Sequence, residues 1–295
     1  MNSENKHQKD FSAAKKEKIV VYEPDNSIKK GYALIFREIY RDIVDNKWLT
    51  YQLFKRDFVA TYKQSLFGIF WAILLPIISV GTFIILSRAG LFSIGEIQIP
   101  YPIYAILGMA FWQIFSAGII GSSNALIKAG SMITQINFSK KSLVFASAGQ
   151  SIVSFVIQFV LVCLLFMFYG IAPSWAILLV PIMIIPIILL MLGLGLVLSL
   201  LNGIMRDVGN VISLLMTFLM FLTPILYAKP TKGVLMVITQ FNPLYYLIAG
   251  ARNLILSGTI VEPEGFVIST AGSMVIFIVS LVGFHLTETR ISERI

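Results

Sequence analysis

Between Lys141 and Arg206 the chain runs 64 residues without a charged side chain, interrupted only by a Tyr-Gly-Ile-Ala-Pro-Ser turn at 169–174. A bilayer-spanning helix needs about 20 apolar residues, so this run predicts two spans joined by a short hairpin. Inside hydrocarbon every backbone N–H and C=O must find an internal partner, which leaves helices or a closed barrel. Strand-like alternation is absent, so the pattern predicts helices. Read the same way, the chain has six spans, near 65–86, 103–127, 142–169, 175–201, 208–227 and 266–286. Small residues four apart, Gly118 with Ser122 and Gly195 with Ser199, suit close helix packing in lipid.

The flanks follow a different pattern. Residues 1–30 are polar and lack apolar periodicity, as expected of a mobile cytoplasmic tail. From Tyr32 to Asn46, the residues Tyr32, Ile35, Phe36, Ile39, Ile43 and Val44 repeat at helical spacing, with Arg37, Glu38, Arg41, Asp42 and Asp45 on much of the opposite side. This predicts an amphipathic helix in the membrane interface, and a second one follows from Trp48 to Gln64. The organisation is then a tail (1–30), interface helices (31–64), a six-span domain (65–289) and a short C-terminus (290–295). No cleavable signal peptide is expected before the spans, because the N-terminus is polar well past the usual signal length.

Composition agrees. Hydrophobic residues make up 57% of the chain and charged ones 13%, and soluble domains carry about 25% charged residues. The first 63 residues hold 13 of the 23 Lys and Arg. Lys128, Lys140, Lys141, Arg206, Arg290 and Arg294 fall on the same side, against Arg88, Lys229, Lys232 and Arg252 on the other. The positive-inside rule then places both termini in the cytoplasm. The single Cys163 lies in an apolar run, where no disulfide can form within the chain.

Catalytic chemistry is sparse. From Ser65 to Leu286 the only carboxylates are Glu96, Asp207, Glu262 and Glu264, all in loops or at span ends. Ion-coupled transporters carry such groups inside their spans. No Gly-x-x-x-x-Gly-Lys-Ser/Thr loop occurs, so nucleotide is not bound that way here. Uphill transport would draw its energy from a partner. Between Lys232 and Ser257, two apolar stretches meet at Asn242-Pro243, each too short to cross. This predicts a re-entrant hairpin from the outer face, tolerated at membrane depth only beside protein or a water-filled path.

Five motifs, in order, resemble the permease subunit of ABC-2-type polysaccharide exporters, the group that exports O-antigen, capsule and teichoic acid. They are Arg56-Asp57 with Tyr62-Lys63-Gln64-Ser65-Leu66-x-Gly68-x-x-Trp71-Ala72 and Pro76; Pro100-Tyr101-Pro102-Ile103-Tyr104-Ala105 with Gly108 and Trp112; Ile133-Thr134-Gln135-Ile136-Asn137-Phe138; Arg206-Asp207-Val208; and Phe241-Asn242-Pro243-Leu244. The resemblance covers about residues 48–290. It implies an all-α membrane protein of the bacterial inner membrane, working as a homodimer with two separate cytoplasmic ATPase subunits. ATP and Mg would be bound by those subunits, and no cofactor by this chain. The cargo implied is a polysaccharide on an undecaprenyl diphosphate lipid; nucleic acid is not an expected partner.

The resemblance also distributes roles. Lys128, Met132, Ile136, Phe138, Lys140 and Lys141 occupy the loop expected to dock on the ATPase, with a positive-inside loop as the plainer reading. Arg37, Arg41, Lys55, Arg56 and Lys63 form a basic rim suited to a lipid diphosphate, since guanidinium groups match phosphate geometry, or simply to anionic lipid. Phe67, Phe70, Trp71, Phe218, Phe221 and Tyr227 on spans one and five are expected to line the path, where aromatic faces let sugar rings slide without a deep well. Asn242, Pro243, Tyr245, Tyr246 and Arg252 are expected at the outer gate. Residues 245 and 252 are seven apart and share a helix face. A permease for a lipid or drug, and a membrane enzyme acting on lipid-linked sugars, are the competing readings. The tyrosine-rich hairpin favours a polar polymer, and the shortage of acidic groups disfavours the enzyme.

Overall fold

A computed structural model of the chain describes residues 32–63, 70–90, 94–97, 99–130, 132, 138–205 and 207–291. Among the described residues the secondary structure is helical, with no strand. The helices are α1 Tyr32–Asp45, α2 Lys47–Lys63, α3 Phe70–Arg88, α4 Tyr101–Ser123, α5 Ala125–Lys128 and α6 Lys141–Tyr169. They continue with α7 Val180–Met183, α8 Ile185–Ile204, α9 Val208–Leu222, α10 Val234–Phe241, α11 Pro243–Ser257 and α12 Pro263–Ile291.

Among the described residues, five segments are long and apolar enough to cross a membrane: α3, α4, α6, residues 175–204 and α12. The fourth crossing is segmented, with a 3₁₀ turn over Trp175–Leu179 and prolines near the starts of α7 and α8. The fifth expected span, 208–227, is not among these five. Its helix ends at Leu222 after 15 residues, a rise of about 22 Å at 1.5 Å per residue, and Thr223 is already extended. Pro224 is the cause, since it disfavours helical backbone at the residue before it and has no N–H to donate. The expected break at Asn242-Pro243 is present: α10 and α11 are bent by 82° across Asn242.

The core is built around α4. In its most apolar stretch 78% of residues are buried inside the chain, against 17% for α3. Ile103, Leu107, Phe111 and Ile114 are fully buried there, among residues of α6, α8 and α11. A second cluster sits at the opposite end from the hairpin, where Ile35, Ile39 and Leu53 of α1 and α2 meet Leu143, Val144, Leu281 and Phe284. The α1 stripe therefore divides. Ile35 and Ile39 face the protein, while Phe36 and Val44, expected on the same face, are exposed.

Glycine sets the separation of the central helices. A methyl group on Gly195 of α8 would stand 2.7 Å from the Ser122 Cβ of α4, and one on Gly118 would strike Met191 at 2.6 Å. Such contacts let the two backbones close on each other as a unit. Gly195→Val should therefore lower the thermal unfolding midpoint of the purified protein in detergent, at a cost of about 1–3 kcal/mol. Gly272→Val, at a helical site with nothing within 4 Å of the added carbon, should leave it unchanged. Equal midpoints for the two variants would contradict this packing.

Candidate functional site

The end of α9 leaves backbone carbonyls with no helical partner, and the structure supplies each of the next four with a side-chain donor. Arg252 of α11 donates from Nη1 to the Ile225 carbonyl at 2.9 Å and from Nη2 to that of Pro224 at 3.4 Å. The Tyr101 hydroxyl donates to Leu226 O at 2.9 Å, and the Tyr104 hydroxyl to Tyr227 O at 3.1 Å. Just outside this run, Ala228 N donates to Ile94 O at 2.8 Å. Residues 223–227 are all buried, so without these partners the carbonyls would carry a desolvation cost of about 1–3 kcal/mol each.

Arg252 is the centre of this arrangement. It is 3% exposed, and its guanidinium lies 3.7 Å from the centroid of the Tyr104 ring. A cation stacked on an aromatic face gains more when removed from water. Its Nε has no hydrogen-bond partner among the described residues. Gly108 makes the approach possible, since a Cβ there would sit 2.7 Å from Ile225 O and 3.1 Å from Arg252 Nη1. The sequence places Arg252 at the mouth of a path beside Tyr245; the protomer instead turns it inward onto α4 and the unwound backbone.

The other hairpin residues are drawn together at the same end. Asn242 caps α11 by accepting from Leu244 N at 3.0 Å and donates to Thr223 Oγ1 at 2.8 Å, which ties the bend to the end of α9. Pro243 takes the first turn of α11, where a missing N–H costs nothing. Tyr245 is buried and donates to Glu262 at 3.2 Å, and Glu262 pairs with Lys229 at 2.5 Å. Lys229 also lies 5.1 Å from the Tyr245 ring centroid. Tyr246 donates to Gln240 O at 2.9 Å.

Of the residues expected along a path, Phe70, Trp71, Phe218 and Phe221 are exposed on α3 and α9, and Phe67 lies outside the described residues. Phe83 and Phe221, 6.3 Å apart, join these two helices. Only Gly209 and Ile212 of α9 are buried. Tyr227 differs from the expectation: it is 7% exposed and donates to Phe221 O at 2.6 Å.

At the α1 end, the loop residues separate into two groups. Lys128 is exposed, and Met132 and Phe138 are half-buried against the second cluster; Ile136 lies outside the described residues. Lys140 and Lys141, expected to face a partner, are turned inward. Lys140 Nζ donates to Glu288 O at 2.8 Å, and burial holds its ammonium below the usual lysine range, partly offset by Glu288. Lys141 is 1% exposed and pairs with Asp42 of α1 at 2.7 Å and with Glu288 of α12; His285 Nδ1 lies 3.1 Å away. Its ammonium stands where Asp42, His285 and Glu288 would otherwise converge on a cation. This lysine fastens α1 and α12 to the start of α6.

The basic rim lies on α1 and α2. Arg37, Arg41, Lys55 and Arg56 are exposed, and Arg56 pairs with Asp57 at 2.8 Å and lies 4.0 Å from Met132 Sδ. Lys63 ends α2, and its side chain lies outside the described residues. Sequence reasoning missed Tyr101 and Tyr104 as functional groups. The available signal was two hydroxyls, three residues apart, entering an otherwise apolar span.

A bundle of membrane-length helices, with a bent apolar pair folded back over one end, defines a polytopic membrane protein. Residues 49–256 match the ABC-2 type transporter family, and the chain belongs to that family. Membership makes it the membrane component of a transporter and implies an ATPase subunit as its partner. The O-antigen export system permease protein RfbA of Myxococcus xanthus is 24% identical over 242 residues, covering 81% of this chain and 92% of that protein. Two proteins of the same name from Klebsiella pneumoniae are 26% and 25% identical over 246 residues, covering 81% of this chain and 91% of each.

If Arg252 holds the unwound segment, its loss should open that segment. In a Cys163→Ser background, Ile225→Cys should label slowly with a maleimide, because Ile225 is fully buried. Adding Arg252→Met should raise the labelling rate about tenfold, as expected when a buried contact worth about 1.4 kcal/mol is removed. Equal rates in the two backgrounds would contradict the assignment.

Proposed function

We propose that this chain is the channel-forming subunit of an ATP-driven exporter that moves a lipid-linked polysaccharide, such as O-antigen on undecaprenyl diphosphate, across the bacterial inner membrane. The observation that carries the reading is the bent α10–α11 pair fixed over an unwound α9 end, next to the exposed aromatic faces of α3 and α9, since irregular backbone at membrane depth is tolerated only where it is buried in protein or lines a water-filled path. The relatives' names supply the cargo class. Two copies of the chain face each other through α3 and α9, whose large apolar surfaces the protomer leaves uncovered. Phe70, Trp71, Phe218 and Phe221, with Phe67, line the resulting path. The hairpin closes its outer end.

The chain itself performs no catalysis. Two cytoplasmic ATPase subunits bind ATP and Mg and dock on the segment from Lys128 through Phe138, with Met132 and Ile136 as apolar contacts. Both termini lie in the cytoplasm, in keeping with the basic residues at that end. Arg37, Arg41, Lys55, Arg56 and Lys63 meet the diphosphate of the cargo lipid by charge-assisted hydrogen bonds as it leaves the inner leaflet. Residues 1–30 and 290–295 flank the transport domain.

In proteoliposomes, the chain alone should hydrolyse no ATP, and the chain with its ATPase should move lipid-linked polymer only when ATP is supplied. Ile136→Asp should abolish co-purification of the ATPase, because a charge placed in an apolar socket costs several kcal/mol. Hydrolysis by the isolated chain, or undiminished co-purification and export by the variant, would overturn this reading.

A further inference from the structure

At the end of the bundle opposite the hairpin, one buried amide joins three chain segments. Asn202, in the last turn of α8, is fully buried. Its Nδ2 donates to Ser123 O at 2.9 Å and to Asn124 Oδ1 at 3.1 Å. Its Oδ1 accepts from Gly209 N, in the first turn of α9, at 2.8 Å. Asn124 lies at the break between α4 and α5, and its own amide donates to Ile120 O at 2.8 Å. A single side chain thus holds the root of the Lys128–Phe138 segment with one group and the start of α9 with the other.

The contact is built for closeness. A Cβ on Gly209 would meet Asn124 Oδ1 at 3.1 Å and the Asn202 amide at 3.1 and 3.2 Å. The first-turn N–H groups of a helix are usually satisfied by the residue just before it. Here Asp207 precedes α9 and makes no side-chain cap. The partner comes instead from α8, seven residues back, and α8 is locked to α4 through Gly195 and Ser122. Beyond this bond, Ile212 is the buried anchor of α9 at that end, and Val211, Leu214, Leu215 and Phe218 on its outward face are exposed.

We propose that Asn202 is a positioning residue for transport, transmitting movement of the segment after α4 into α9. The inference rests on the proposed docking of the ATPase on that segment. A push on α5 reaches Asn124 first, passes through the Asn202 amide and displaces the first turn of α9. Because the far end of α9 is held by Asn242 through Thr223, such a displacement tilts the helix face presented to the cargo.

Asn202→Asp separates transmission from capping. The aspartate keeps an acceptor for Gly209 N, and a carboxylate at a helix N-terminus is favourable, but it loses the two donors to the α4 end. In proteoliposomes holding the full complex, Asn202→Asp and Asn202→Ala should hydrolyse ATP near the wild-type rate. Both should export about tenfold less polymer per ATP, a size typical of coupling between sites. Wild-type export per ATP in Asn202→Asp, or hydrolysis and export falling in proportion, would overturn the proposal. Should Asn202→Asp fail to assemble, Asn124→Ala removes the α4 arm alone. It should lower export per ATP, and an unchanged ratio would overturn the proposal equally. Ile136→Asp keeps the two questions apart. If it releases the ATPase while Asn202→Asp exports normally, the docking stands and the clasp fails; if it leaves the ATPase attached and coupled, the docking assignment fails.

Discussion

A backbone carbonyl buried at membrane depth must find a donor within the protein, and residues 224–227 are where this chain meets that demand without a helix. Pro224 ends α9, and the four carbonyls that follow are taken by Arg252, Tyr101 and Tyr104. The rest of the hairpin end follows from that solution. Gly108 lacks a side chain because one would fill the space between Arg252 and Ile225. Arg252 needs α11 to run back towards α4, and this requires the bend at Asn242. The same amide reaches Thr223, so bend and break are fixed to each other.

The helix between these fixtures is unusual in how little of it the protomer covers. α9 is held at one end by Asn202 and Ile212 and at the other by Asn242; between them Met216, Leu219 and Met220 rest half-buried on the core, while Val211, Leu214, Leu215 and Phe218 are exposed. α3 is similarly bare. By contrast α4, α6 and α8 form a tightly packed block in which glycine and serine set the spacing. A rigid block carrying two sparsely attached helices is suited to moving those helices as units. Lys141 adds a third fastening, its buried ammonium binding α1 and α12 to the root of α6 by ion pairs.

Much of the fold was legible because a long apolar run without charge is stable almost nowhere but in a membrane-spanning helix. The helices of the uncharged run 142–205, the turn at 169–174 and the Asn242-Pro243 break each appear in the structure where the pattern places them. The end of the fifth helix was misplaced because hydropathy continues past Pro224 while backbone geometry does not. Helical spacing correctly set residues 245 and 252 on one face, yet spacing says nothing of what lies opposite, and the inward course of Arg252 depends on Tyr104 from a span 148 residues earlier. Lys140 and Lys141 read as surface charge because their carboxylate partners, Asp42 and Glu288, sit at opposite ends of the chain. Asn202, one of two polar residues with Ser199 in an otherwise apolar helix, carried no periodic signal.

The central claim is that Arg252 and Tyr104 act together in holding the unwound segment. The most direct measurement is a double-mutant cycle on the thermal stability of the protein in detergent, using Arg252→Met, Tyr104→Leu and the pair. The account predicts that the double variant loses less than the sum of the single losses, by about 1 kcal/mol or more, as expected for residues in contact that share one backbone segment. Losses that add independently would contradict it.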